Sequence, residues 1–106
     1  MAQGRLGKAV LAAATNASVY TPNVNCKYAK VSVNVLNTNA TAAVFQMAIS
    51  TTGTPAAADY IENGVNIPAS GGVLSRTEVI VGRDEQLIVQ SNLAGVVVRG
   101  AGEEII

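Results

Sequence analysis

The chain has 106 residues, seven basic and seven acidic side chains, no histidine, no tryptophan and one cysteine. The length suits one small domain, and a hydrophobic content of 49% excludes a chain disordered by composition. The lack of histidine excludes Ser-His-Asp and Cys-His hydrolysis and, with only Cys26 as a thiol, a structural zinc site.

Residues 1–8 carry Gly4 and Gly7 and read as an N-terminal arm. Residues 9–14 are an Ala-rich stretch too short for a stable helix and are expected to form a first short strand. Arg5 and Lys8 ahead of it mimic a signal peptide, but an apolar stretch of about six residues falls below the usual 7–15. The segment is therefore expected to stay in a soluble protein made in a reducing cytoplasm. Residues 15–17 then form a turn into a strand over 18–21, and Pro22-Asn23 interrupts it.

The clearest strand is 29–36, where Val31, Val33 and Val35 alternate with Lys30, Ser32 and Asn34. The run 43–50 places Ala43, Phe45, Met47 and Ile49 on one face. These two strands, joined by residues 37–41, are expected to pair as an antiparallel hairpin. Residues 51–58 are a long connection expected to cross between sheets. Residues 60–67 contain Asn63-Gly64 between two short apolar-polar runs, the pattern of a tight hairpin turn.

A longer strand covers 73–81. Leu74, Val79, Ile80 and Val81 fit no single parity, so its buried face is expected to change midway. Further strands are expected at 87–91 and 96–99, separated by turns at 82–85 and 92–95, with 103–106 as a C-terminal tail. Some eight short strands with turns every 8–12 residues specify an all-β antiparallel β-sandwich, jelly-roll or Ig-like. The expected division is an arm and first strand over 1–14, a sandwich over 15–102 and a tail over 103–106.

Candidate chemistry is sparse. Asp59 with Glu62, or Asp84 with Glu85, could be offered as a glycosidase-like dyad, and their turn-flanking positions suit solvated surface charges better. No phosphate loop or dinucleotide fingerprint occurs. No cofactor and no metal is expected, and the chain does not read as an enzyme. The cations are scattered, giving no basic stripe for nucleic acid. No apolar run reaches membrane-spanning length, so no membrane partner is expected either. Tyr20, Tyr28 and Tyr60 could form a sugar-stacking platform, although core or rim positions suit them better. The near-neutral surface favours association. The apolar residues near the two ends, Leu6, Val10, Leu11, Ile105 and Ile106, are the candidate assembly interface, with one or both ends laid on a neighbouring subunit.

Several stretches together resemble a family of small structural proteins of tailed bacteriophages, in particular phages of cyanobacteria. These are Met1-Ala2-Gln3-Gly4-Arg5-Leu6 leading to Val19-Tyr20-Thr21, then Val31-Ser32-Val33-Asn34-Val35-Leu36-Asn37 leading to Ala48-Ile49-Ser50-Thr51 and Gly53-Thr54-Pro55. The last is Gly82-Arg83-Asp84-Glu85-Gln86-Leu87-Ile88-Val89-Gln90-Ser91 followed by Val96-Val97-Val98-Arg99-Gly100. The resemblance spans nearly the whole chain and rests on strand-and-turn grammar. It implies a virion protein that decorates (cements) the capsid exterior, with the major capsid protein or other virion proteins as partners and homo-oligomers on the particle. The alternative it leaves open is a tail fibre or baseplate component, or a module binding host-surface glycans through the loops at Asn37–Thr41 and Asn63-Gly64.

Overall fold

The structure is a computed structural model and describes residues 3–22 and 27–105. Its eight strands are β1 (Gln3–Val10), β2 (Ala17–Tyr20), β3 (Tyr28–Asn37), β4 (Ala43–Ser50), β5 (Tyr60–Ile67), β6 (Gly72–Gly82), β7 (Gln86–Ser91) and β8 (Val96–Ile105). A single 3-10 turn, Ala57–Asp59, precedes β5. Alternation drives the strands. Along β3, Val31, Val33 and Val35 are buried while Lys30, Ser32 and Asn34 are exposed.

The strands form two antiparallel four-stranded sheets, ordered β1-β8-β3-β6 and β2-β7-β4-β5. The pairs β1 with β8, β2 with β7, β3 with β6 and β4 with β5 are the rungs of one long antiparallel ribbon folded back at residues 51–59. Rolling the ribbon places alternate rungs in opposite sheets, where β3 pairs β8 and β4 pairs β7. This is the eight-stranded jelly roll, one of the sandwich forms expected. Its core lies between the sheets, with Phe45, Met47 and Leu87 of one meeting Val31, Val35 and Val98 of the other, all fully buried.

Several expectations are corrected. Residues 3–8 are no separable arm but most of β1, an edge strand of the sandwich. At Gly7 an added Cβ would lie 2.0 Å from the Val19 carbonyl oxygen, so only glycine lets β1 pass β2 this closely. Of the expected strand over 9–14, Ala9 and Val10 end β1, and Ala13 makes one isolated bridge to Ser91. Residues 103–105, expected as a tail, belong to β8.

The strands β3 and β4 do not form a hairpin. They lie in opposite sheets with their apolar faces opposed, so residues 38–42 make the crossing expected of 51–58, while β4 and β5 on either side of that connection pair in one sheet. Residues 60–67 form one strand and not a hairpin. The register steps from Phe45 opposite Val65 to Gln46 opposite Asn63, leaving Gly64 as an extra residue at φ +77°. Positive φ at Asn-Gly serves a bulge here as readily as a turn. The face change in the 73–81 strand does occur. Thr77 and Glu78 together oppose Ser32, and Glu78 has φ +54°.

Polar side chains tie the ends of the sandwich. Asn37, fully buried, donates to the carbonyls of Thr41, Ile67 and Pro68 at 2.9, 3.1 and 3.2 Å. Its Oδ1 accepts from the Asn39 N–H at 3.0 Å. Asn39 Nδ2 and Thr38 Oγ1 donate in turn to the carbonyls of Ala94 and Gly95. At the other end the Tyr20 hydroxyl donates to the Glu104 carboxylate, both buried, joining β2 of one sheet to β8 of the other.

Candidate functional site

The residues with apparent chemistry are used by the fold. Asp59 Oδ2 accepts from the Ala56 N–H at 2.8 Å, and Glu85 Oε1 accepts from the Gly82 N–H at 2.8 Å. Glu62 pairs with Arg76 at 3.0 Å and links the β5 and β6 edges of the two sheets. Neither acid pair forms a facing dyad. The tyrosines do not assemble into a platform, since Tyr20 points into the core while Tyr28 and Tyr60 lie on different sheets. Among the described residues no three acidic or thiol side chains converge as a metal site, and no helix is long and apolar enough to cross a membrane. Of the loops considered for glycans, 37–41 is held by the Asn37 network, while Asn63 and Gly64 are exposed on the edge strand β5.

The surface that remains is the outer face of β1-β8-β3-β6. Strand pairing arranges its side chains in rows across the sheet, about 6.7 Å apart along the strands. One end row is apolar: Val10, Val97, Leu36 and Val73 stand side by side on the four strands. Val10 is 70% and Val73 55% exposed, and the two between them are half-buried. The next row is Lys8, Arg99, Asn34 and Ser75, all exposed, with Ser75 Oγ donating to Asn34 Oδ1 at 3.1 Å. Small residues follow, Ala101 beside Ser32, over a shallow groove of about 320 Å³. Then come Glu103, Lys30 and Ile80, and at the far end Ile105 beside Tyr28.

The expected interface residues divide accordingly. Val10 joins the exposed apolar row. Leu11, one residue on, is 3% exposed and packs in the core, because the period of two turns it inward, so it is corrected from interface to core. Ile105 lies on the same outer face as Val10 but eight residues along β8 from its row, about 27 Å away. Leu6 is the extra residue where the β1 register shifts between Arg5 and Gly7; its side chain and Ile106 lie outside the described residues. Sequence reasoning missed Val97, Leu36 and Val73. Their outward parity was legible within each strand, but their alignment depends on which strands pair.

No family model, no curated protein and no solved structure matches the chain.

Proposed function

We propose that the chain is a non-enzymatic bacteriophage virion protein, a capsid decoration (cement) protein that binds and stabilises the particle exterior. The observation that carries this reading is the outer face of β1-β8-β3-β6. It presents an apolar row flanked by charge on a rigid sheet, and the row includes Val10, one of the residues the sequence marks for assembly. The phage-protein resemblance of the sequence points the same way. In this reading each copy contributes modest apolar burial, and many copies on a lattice add up through multivalency.

The test is cosedimentation with particles of the encoding phage from which the protein has been stripped. The wild-type chain should rebind in saturable stoichiometry and raise the temperature at which particles release DNA. Val10→Asp combined with Val97→Asp should bind weakly while keeping the fold. Failure of the wild-type chain to bind any virion component would sink the reading. Deleting residues 1–8 is not a usable test, because it removes most of an edge strand.

A second reading, a fibre or baseplate module for host-surface glycans, is favoured by the groove, where Ser32, Asn34, Arg76 and Arg99 offer hydrogen-bonding groups on one shallow surface. Glycan-array binding lost in Arg99→Ala would support it over the decoration role.

A further inference from the structure

We propose that the outer face of β1-β8-β3-β6 is a self-association surface on which a second copy of this chain packs face to face. The two-fold axis runs parallel to the strands between β8 and β3. The proposal rests on reading this face as the assembly surface, and it names the partner.

The face complements itself. A two-fold between the central strands lays β8 of one copy over β3 of the other and keeps every row opposite itself. The pairs it exchanges are cross-strand neighbours within one copy, and at each level they match in kind. Val97 meets Leu36 of the second copy, and Ile105 meets Tyr28, apolar on apolar at both ends. Arg99 meets Asn34, polar on polar, and Ala101 meets Ser32, the small residues that let the two sheets approach at the centre. Glu103 meets Lys30, acid on base. Because Glu103 and Lys30 are already neighbours within each copy, the dimer closes a ring of four alternating charges. On the flanking strands Val10 falls opposite Val73.

The face spans about four strands and nine residues, roughly 500 Å² per copy. The total of about 1,000 Å² is at the lower limit for a specific interface. Pairing is therefore weak in solution and strengthened on a particle, where a paired unit offers two equal contacts.

The experiment is sedimentation velocity over a concentration series, with circular dichroism of each variant to establish folding. Wild type should show a reversible monomer–dimer equilibrium. Glu103→Lys should weaken it by about tenfold or more, Lys30→Glu should do the same, and the double exchange should restore it by rebuilding the charge ring. Ser32→Trp adds bulk at the exposed centre without changing charge and should abolish the dimer. Wild type that stays monomeric throughout, or a dimer indifferent to Glu103→Lys and Ser32→Trp, would overturn the proposal. So would a double exchange no better than the singles. A monomer that still binds particles would defeat this inference and leave the virion role standing. A dimer that binds no virion component would do the reverse.

Discussion

The two outer faces of the sandwich differ in what they do with their apolar side chains. On β2-β7-β4-β5, Ala48 and Ile88 are neighbours that point outward by register, yet they are 0% and 2% exposed. The 51–59 connection, with its 3-10 turn, packs back against β4 on this sheet. Around them the outward positions are uncharged: Gln46, Asn63, Asn66, Gln90 and Ser18. On β1-β8-β3-β6 the outward apolar row stays open to solvent at Val10 and Val73, and its neighbours are charged. One face covers Ala48 and Ile88 and leaves Val44 as its exposed large apolar side chain at 37%. The other presents Val10, Val73 and Ile80 at 49–70% exposure beside charged neighbours.

The comparison can be sharpened by substitution, starting with the core that both faces depend on. Phe45→Ala empties the largest fully buried side chain and should cost about 3–5 kcal/mol in denaturant unfolding. Ile88→Ala should cost about 2–5 kcal/mol although its side chain points away from the core, because that side is covered. Loss close to zero would show Ile88 to be covered in name only. Asn37→Ala strips three carbonyls of their donor and should destabilise by about 1–3 kcal/mol, with faster amide exchange at Ser70, Gly71, Asn92 and Gly95. Glu62→Gln removes one half-exposed ion pair between the sheet edges and should cost under about 1 kcal/mol. Val10→Ala, on the open face, should stay within about 0.5 kcal/mol of wild type in stability. A large destabilisation there would mean that Val10 serves the fold and would remove the contrast with Ile88.

Much of the fold was legible because burial leaves a period-two trace. The alternation over 29–36 and 43–50 located β3 and β4 to within a residue or so, and the mixed parity of Leu74, Val79, Ile80 and Val81 pointed to a change of buried face, which the structure makes through a bulge at Thr77 and Glu78. The two misplaced hairpins are errors of pairing, and both chain ends were misjudged as arm and tail. Asn63-Gly64 reports only that positive φ is tolerated, which suits a bulge and a turn equally. The β3–β4 hairpin failed because two strands with strongly apolar faces can lie side by side in one sheet or face each other across two, and alternation is the same in both cases. The candidate interface was half legible for a related reason. Val10 was picked for being apolar near an end, and so was Leu11, but parity within β1 and its continuation separates an exposed side chain from a core one.

Composition and short-range pattern were enough for the all-β class, an approximate strand count, the inward faces of β3 and β4 and the poverty of catalytic groups. These depend on composition and on neighbours one or two residues apart. Only the tertiary structure decided that residues 3–8 are an edge strand, that Leu11 belongs to the core, and that Val10, Val97, Leu36 and Val73 stand in one row. Each of these follows from partners far away along the chain. Closing such contacts is governed by the total burial of the sandwich and by no local pattern.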